Sequence, residues 1–138
     1  MTHLEIGKQG EDAACTYLRK QHLQILARNV FFGKYEIDLI FREKSTLVFA
    51  EVKTRSLHPD QSTFFPTPAA AVTPHKQRNI IAAARTYIQQ TDEAYSEIRF
   101  DVLAVYATVN KHTGFLGKQR ERFQVLHIEH MRGAFELS

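Results

Sequence analysis

The stretch "TLVFAEVKT", residues 46–54, is the most hydrophobic segment of the chain and decides how the sequence folds. Its nearly continuous apolar run predicts a central β-strand that is covered on both faces. Two charged residues, Glu51 and Lys53, interrupt the run near its end. Charged side chains are almost never fully buried unless they are paired or bind a metal. The two residues therefore mark either a solvent-exposed strand end, where they form an incidental ion pair, or a functional site.

Five segments of the chain have the apolar patterns of β-strands. In chain order they are "LQILARNVFF" (23–32), "YEIDLIFR" (35–42), residues 46–54, "IRFDVLAVYA" (98–107) and "FQVLHIEH" (123–130). In the second strand, the odd-numbered residues from Tyr35 to Phe41 should face one side, and the even-numbered ones, including Asp38, the other. Residues 110–122 predict a basic connection between the last two strands, and residues 55–68 predict a proline-rich loop.

Helical spacing of apolar residues predicts two α-helices. The first runs from about residue 4 to residue 21, and Glu11 lies at the edge of its apolar stripe. The second begins at Thr73 and Pro74, because threonine is a good N-cap and proline suits the first helical position. The order of helix, three strands, helix and two strands predicts one domain, residues 1–138, of the α/β (α+β) class. Helices should flank a mixed sheet of about five strands.

The composition is that of an ordinary globular protein, with 43% hydrophobic and 24% charged residues. The sequence contains neither a long apolar run nor a leader-like segment, which predicts a cytoplasmic protein without a membrane span. A single cysteine, Cys15, excludes an internal disulfide and fits a reducing compartment. The net charge of +3 is compatible with nucleic-acid binding but does not demand it.

A hairpin between the second and third strands would bring two carboxylates together. If Glu43 pairs with Thr46 across a two-residue turn, the same register places Asp38 directly opposite Glu51. Residues in such positions have Cβ atoms roughly 4.5–5.5 Å apart, and like charges there are destabilising unless something neutralises them. The turn sequence is a weak signal, so this register is a hypothesis.

A divalent cation would neutralise the two carboxylates, and the chemistry that this arrangement predicts is metal-assisted phosphodiester hydrolysis. Mg²⁺ and Mn²⁺ prefer carboxylate and water oxygens, and Mg²⁺ is commonly held by one or two carboxylates plus substrate phosphate oxygens. Lys53 shares a face with Glu51, because residues two apart in a strand point to the same side. Its ammonium can stabilise charge on a phosphate or steer an attacking water.

The order of these residues resembles that of a known family. The motifs are Gly7-x-x-Gly10-Glu11, Arg28-Asn29, Glu36-Ile37-Asp38-Leu39-Ile40, Phe49-Ala50-Glu51-Val52-Lys53-Thr54-Arg55, Lys76 and Arg99-Phe100-Asp101-Val102. Asp38 followed by Glu51-Val52-Lys53 resembles the PD-(D/E)xK nuclease superfamily, which has the restriction-endonuclease-like fold. The ordered set, over about residues 7–105, closely resembles the small, uncharacterised bacterial YraN-like family, which is similar to archaeal Holliday-junction resolvases.

The resemblance implies a metal-dependent endonuclease whose catalytic residues are Glu11, Asp38, Glu51 and Lys53. It implies that Asp38, Glu51 and the Val52 backbone carbonyl bind Mg²⁺ or Mn²⁺. Glu11 would complete the acidic site as a further candidate ligand, and Lys53 would be the catalytic lysine. The implied substrate is DNA, branched or single-stranded, and a homodimer is suggested because resolvase-like enzymes usually act as dimers.

Two positions depart from the family pattern. Tyr35 stands where a glycine usually precedes the Glu-Ile-Asp run. The glycine that often follows the E-x-K strand is replaced within "STFFP", residues 62–66. The bulkier Tyr35 and Phe65 can alter substrate access, although neither is one of the four implied catalytic positions.

Each implied site residue also has a purely structural interpretation. Glu11 alone reads as an exposed helix glutamate. Asp38 and Glu51 can be the salt-bridged end of a strand, with Arg99 or Lys53 as the partner. The rival function, from another class, is a nucleic-acid-binding or partner-binding module that keeps the fold without significant turnover.

Three residues near the site are candidates for binding a nucleic-acid backbone: Thr54, Arg55 and Lys76. Arginine forks suit phosphate, whereas a solvated first-turn lysine is as good an interpretation of Lys76. Four further cations between the last two strands can extend this surface, although such runs are usually solvated; they are Lys111, Lys118, Arg120 and Arg122.

Other polar residues are predicted to have structural roles. Glu36 should support the site or lie at the surface, and Arg99 with Asp101 should form a structural ion pair. His127 and His130 should point to opposite faces of a strand, because their spacing is odd, which argues against a zinc site.

Overall fold

The computed structural model describes residues 1–57 and 65–137, which contain two α-helices and one five-stranded sheet. The helices are α1 (His3–Lys20) and α2 (Pro74–Gln90). The strands are β1 (Gln24–Phe32), β2 (Tyr35–Glu43), β3 (Thr46–Ser56), β4 (Glu97–Thr113) and β5 (Gln119–Phe135). This order confirms the predicted α+β fold class, and the mixed sheet with its two helices is consistent with a restriction-endonuclease-like core.

The sheet has the strand order β1-β2-β3-β4-β5, with β3 in the centre as predicted. Strands β3 and β4 are parallel, and the other three neighbouring pairs are antiparallel. Parallel neighbours need a long crossover, and here that crossover contains α2. The predicted loop at 55–68 lies in part outside the described residues; within it, β3 continues to Ser56.

The two helices cover opposite faces of the sheet. Helix α1 contributes Ala14, Cys15 and Leu18 to a cluster with Leu39, Phe41, Val48, Ala50, Val52, Leu103 and Val105. Helix α2 contributes Ile80, Ile81, Ala83 and Ala84 to a cluster with Ile37, Ile40, Leu47, Phe49, Phe100 and Val102. The residues of β3 from Leu47 to Val52 are all buried, because this strand is covered on both sides. Neither helix is long and apolar enough to cross a membrane, over the residues that the structure describes.

Helix α2 begins as the sequence predicts. The Thr73 hydroxyl accepts a hydrogen bond of 3.2 Å from the Lys76 backbone N–H, and Pro74 occupies the first turn. The cap satisfies one of the four N–H groups that a helix start leaves without a partner. It also fixes the first turn of α2, on which Lys76 is carried.

The prediction that all odd-numbered side chains of β2 face the same side of the sheet is wrong. Ile37 packs with the α2 cluster, whereas Leu39 and Phe41 pack with the α1 cluster. The change of phase occurs at Asp38, and on the neighbouring strand Asn29 has a left-handed φ of 49°. Irregularities of this kind re-aim side chains and are common beside functional sites. The sequence pattern does not show the shift, because both faces of the sheet are apolar here.

Strands β4 and β5 are longer than predicted, and most of the expected connection at 110–122 is strand. Asn110 pairs with Arg122 and Thr113 with Gln119. Strand β3 ends beside Ala107, so residues 108–113 and 119–124 continue beyond it as a two-stranded ribbon, here called the β4–β5 ribbon. Its polar residues lack the apolar alternation by which a strand is recognised from sequence.

Candidate active site

Helix α1 carries Glu11 to the sheet through a close approach at Gly10. A Cβ atom on Gly10 would lie only 1.7 Å from the Thr54 hydroxyl oxygen, so the helix can lie this near to β3 only with glycine there. Thr54 was predicted to bind a nucleic-acid backbone, and the structure places its side chain against α1. That binding role stays a prediction.

Three carboxylates meet at the end of the sheet near α1. One oxygen from each of Glu11, Glu36 and Asp38 lies within 4.8 Å of the others, which is close enough for a single metal ion. Glu11 comes from α1 and the other two residues come from β2. Glu36 is predicted from the sequence to have a supporting or surface role, whereas the structure places it among the candidate ligands. Strand alternation places Glu36 on the same face as Asp38 but two residues away, and it does not show that the two side chains converge with Glu11.

Asn29 holds two of these carboxylates. Its side-chain amide donates hydrogen bonds to Glu11 Oε1 at 2.9 Å and to Glu36 Oε1 at 3.0 Å. Asparagine tolerates the left-handed backbone conformation found here better than most residues do. The Arg28-Asn29 motif by itself does not predict this role. A polar, turn-favouring residue inside an apolar strand is the signal that could have revealed it.

Arg28 lies beside the same carboxylates. Its guanidinium pairs with Asp12 Oδ1 at 2.8 Å and is 3.9 Å from Glu11 Oε1. Burial raises the pKa of Glu11, while the hydrogen bond from Asn29 and the charge of Arg28 oppose that rise. The cation thus helps to keep Glu11 ionised and available as a ligand.

The predicted hairpin register of β2 and β3 is confirmed for five pairs, but the predicted pair of Asp38 with Glu51 is not among them. Glu43 pairs with Thr46, and the pairing continues to Leu39 with Ala50, one position before Asp38. At Asp38 a side-chain hydrogen bond replaces the backbone pairing, because the carboxylate Oδ2 accepts a hydrogen bond of 2.9 Å from the Val52 N–H. The N–H and C=O of one strand residue point to the same side. The Val52 carbonyl, a predicted ligand, is therefore directed towards the side where Asp38 lies.

Glu51 is the least satisfied charged group in the described part of the chain. Its side chain is only 6% exposed, and its Oε2 atom has no hydrogen-bond donor among those residues. Lys53 Nζ and Lys76 Nζ lie 3.9 and 4.0 Å from the other oxygen, Oε1. Burial, reinforced by the charge of Asp38, raises the pKa of Glu51 to about 8. A buried carboxylate oxygen without a donor is costly, and a bound cation would satisfy it.

The donor set at this point fits a hard divalent cation. Carboxylate oxygens from Glu11, Glu36 and Asp38 lie beside the break in the β2–β3 pairing, and burial raises the pKa of Asp38. Glu51 does not belong to this group of three. Mg²⁺ and Mn²⁺ prefer such oxygens. The acidic group can hold a metal ion, although the structure does not identify which one.

A groove of about 640 Å³ gives solvent access to Glu11, Glu36 and Asp38. It lies between the first turns of α1 and the β1–β2 hairpin, with Lys8 and Phe31 in its lining. Glu51 points to the other face of the sheet, where it meets Lys76 of α2. Asp38 therefore lies where the two groups of polar side chains meet.

The predicted cationic residues lie mainly on the α2 side. The side chain of Lys53 is 38% exposed, so its ammonium can reach both Glu51 and solvent. Lys76 also faces the site, through Glu51. The Arg55 guanidinium lies over the ring of Phe65, 4.1 Å from its centre. Nucleic-acid binding by Arg55 and Lys76 stays a prediction.

The structural ion pair of Arg99 and Asp101 is confirmed. Two guanidinium nitrogens bind the carboxylate at 2.8 and 2.9 Å, and Arg99 also pairs with Glu43. Arg99 is thus paired with Asp101 and Glu43, and it is not the salt-bridge partner of Asp38 or Glu51. His130 binds Asp101 at 2.8 Å, while His127 stacks on Tyr106. The two histidines therefore lie on opposite faces, as predicted.

Comparison with known sequences gives a family without a described activity. The family model described as "Uncharacterised protein family UPF0102" matches residues 10–105. The chain is 39% identical to a UPF0102 protein of Geotalea daltonii over 133 residues, which cover 96% of this chain and 91% of that one. It is 41% identical to a UPF0102 protein of Chlorobium chlorochromatii, with coverage of 95% and 91%. The predicted resemblance to the YraN-like family is confirmed.

Proposed function

We propose that this chain, which belongs to the UPF0102 family, is a metal-dependent endonuclease that hydrolyses phosphodiester bonds in DNA, branched or single-stranded. One observation carries the proposal. A buried carboxylate oxygen of Glu51, Oε2, has no donor among the described residues. The same carboxyl group lies beside Asp38, and its other oxygen is 3.9 Å from the partly exposed Lys53. In a purely structural ion pair Oε2 would accept a hydrogen bond, whereas in a metal site it must be free to bind the ion.

Asp38, Glu51 and the Val52 carbonyl are the proposed ligands, with Glu11 and Glu36 as further oxygen donors. Asn29 orients the last two, as groups that hydrogen-bond to metal ligands commonly do. When bound, Mg²⁺ or Mn²⁺ would polarise a phosphoryl oxygen and lower the pKa of a water molecule.

The proposed role of Lys53 is to stabilise the negative charge that develops on the phosphate. Its ammonium lies 3.9 Å from Glu51, which holds it at the edge of the metal-binding oxygens. A preorganised cation of this kind stabilises the transition state more than the ground state, and that difference accelerates the reaction. Lys76, at 4.0 Å from the same oxygen, can bind an adjacent phosphate.

The test is a cleavage panel over duplex, flap, four-way junction and single-stranded DNA, and matched RNA, with Mg²⁺, Mn²⁺ or EDTA. We expect metal-dependent cleavage of at least one DNA by the parent. The Asp38→Asn variant should not cleave and should not bind Mn²⁺ in calorimetry. The matched control is Glu129→Gln, which removes one exposed carboxylate on β5 and should cleave like the parent.

Two results would overturn the proposal. Undiminished Mn²⁺ binding by Asp38→Asn would show that the ligand assignment is wrong. Failure of the parent to cleave any nucleic acid with either metal, together with DNA binding, would favour the binding-module alternative. Size measurement of the parent with and without DNA would test the proposed homodimer.

A further inference from the structure

The β4–β5 ribbon extends beyond the body of the sheet. The last residue of β3, Ser56, lies beside Ala107, and β4 continues through Thr113 while paired only with β5 among the described strands. Six residues of strand at about 3.3 Å each make an arm roughly 20 Å long before its tip. Such an arm buries few apolar groups, so its residues are available to a partner.

The charges on the ribbon are divided between its two faces. Cross-strand pairing places Asn110 opposite Arg122 and His112 opposite Arg120, so these four exposed residues share one face. This cationic face contains no carboxylate. On the other face Lys111 lies opposite Glu121, whose carboxylate pairs with the N-terminal ammonium of Met1. The separation of charge by strand alternation distinguishes this face from an ordinary solvated surface, where both signs are mixed.

The tip of the ribbon is apolar. Phe115 is 86% exposed and Leu116 is 80% exposed, and they adjoin each other in the turn. Leu116 also has a left-handed φ of 64°, a conformation that costs a residue other than glycine about 1–2 kcal/mol. Two exposed apolar side chains at the end of a cationic arm would suit a partner that has both phosphates and aromatic bases.

The cationic face points to the side of the sheet that carries Glu51 and Lys53. The even-numbered residues of β4, such as Phe100 and Val102, pack on the α2 side, and Asn110 and His112 continue that series. Lys53 lies beside Ala104, so Asn110 and His112 follow it by roughly 20 to 26 Å along β4. This separation is less than one turn of B-DNA, about 34–36 Å.

We propose that the β4–β5 ribbon is a duplex-binding arm. Its cationic face contacts phosphates less than one helical turn from the cleavage point, and Phe115 and Leu116 contact base edges or a base step. A two-stranded ribbon fits the major groove of B-DNA, where its tip would contact base edges, and in minor-groove binders apolar side chains insert between base steps. The choice of DNA as the partner rests on the proposed endonuclease function, but the arm is tested by binding alone.

The first test removes the positive charge. Binding of Arg120→Ala/Arg122→Ala to a 30-base-pair duplex is measured in EDTA over a range of salt concentrations. We expect the slope of log affinity against log salt to become shallower by about 2, since each lost phosphate contact contributes about 0.9. Affinity near 0.1 M salt should fall roughly 10- to 100-fold. The matched control, Arg19→Ala/Lys20→Ala, removes two exposed cations at the end of α1 and should keep the parent slope.

The second test removes the apolar tip. Phe115→Ala/Leu116→Gly deletes both side chains, and glycine relieves the left-handed strain, so the tip should stay folded. We expect weaker duplex binding with an unchanged salt slope, because no phosphate contact is lost. The thermal midpoints of all variants are compared with that of the parent, so that unfolding is not mistaken for lost contact.

The outcomes separate the arm from the nuclease. If the ribbon variants bind the duplex more weakly than the parent, but the parent does not cleave, the duplex-binding arm is supported and only the proposed function is overturned. Cleavage by the parent, with both ribbon variants binding like the parent, would overturn the arm alone. Equal ribbon dependence on single-stranded DNA would overturn the duplex assignment. Ribbon-dependent binding to phosphatidylserine vesicles, with none to the duplex, would overturn DNA as the partner.

Discussion

At the scale of single residues, Lys53 is where a catalytic and a structural role give different results. If it only neutralises Glu51, saturating Mg²⁺ should restore the activity of Lys53→Ala, because the metal takes over that charge. If it stabilises charge on phosphate, the variant should lose roughly a hundred- to a thousandfold in rate, which metal does not recover. We expect the second result in single-turnover cleavage.

The arginine variant provides the control for this prediction. Lys53→Arg keeps the positive charge but replaces a compact ammonium with a planar fork, so we expect little recovery. Full recovery of Lys53→Ala by Mg²⁺ alone would instead assign Lys53 a structural role.

Glu51 makes stability depend on pH. Because its pKa is about 8 in the folded protein and near 4.5 when exposed, the folded state binds more protons than the unfolded state between these values. Stability in metal-free buffer should therefore fall as pH rises from about 4.5 to about 8. Glu51→Gln removes this loss and should be at least about 1 kcal/mol more stable than the parent at pH 9.

Urea denaturation in EDTA at pH 5, 7 and 9 measures this difference. Near pH 5 the parent carries Glu51 largely protonated, so the two proteins should differ little. If the difference in unfolding free energy between the variant and the parent is the same at pH 9 as at pH 5, ionisation of Glu51 does not destabilise the fold.

Asn29 offers a test of ligand positioning. Asn29→Gly keeps the left-handed backbone but deletes the amide that holds Glu11 and Glu36. We expect Mn²⁺ affinity in calorimetry to fall roughly 10- to 100-fold, as for other losses of hydrogen bonds to metal ligands. Asn29→Ala should lose the same affinity and also destabilise the fold by about 1–2 kcal/mol, because alanine is strained at this φ. Equal Mn²⁺ affinity in Asn29→Gly and the parent would remove Asn29 from the site.

At the scale of elements, the close packing of α1 against β3 depends on one glycine. Gly10→Ala would place a Cβ 1.7 Å from the Thr54 hydroxyl oxygen, so helix or strand must shift. We expect a loss of about 1–3 kcal/mol in unfolding free energy, as for other overpacked sites. Metal binding should weaken as well, because Glu11 moves with the helix.

A second glycine in the same helix provides the matched control. A Cβ on Gly7 meets nothing within 4 Å, so Gly7→Ala should stabilise α1 by about 0.5–1 kcal/mol. Thr54→Ala in the Gly10→Ala background should recover part of the stability, since it removes the nearest atom. If both alanine variants behave alike in thermal denaturation, close packing at Gly10 is not what seats the helix.

At the scale of the whole molecule, the fold could be predicted because its strongest signals are local. The apolar run of β3, the Thr73-Pro74 helix start and the register from Glu43 and Thr46 each follow from neighbouring residues. The site was predictable only in part. Asp38 and Glu51 are near each other in the hairpin, whereas the convergence of Glu36 with Glu11 depends on how α1 and Asn29 pack beside β2, which apolar patterns do not record.

The β4–β5 ribbon was missed for a different physical reason. Its pairing uses backbone hydrogen bonds, which any residue except proline can make, while most of its residues are polar and exposed. Sequence patterns detect burial, and little is buried there. The cationic face became recognisable only once the cross-strand partners of Asn110 and His112 were known.

The parallel pairing of β3 with β4 has a consequence for synthesis on the ribosome. Glu11, Asp38 and Glu51 all lie in the first 51 residues, yet β3 gains its neighbour on one side only when β4, Glu97–Thr113, has been translated. Parallel pairing between strands that are distant in sequence forms late in folding, because the intervening chain must first be ordered. A nascent chain that stops after α2 would display the acidic residues without the strand that holds Glu51 in place. The surroundings of Glu51 should therefore be complete only once β4 has been translated.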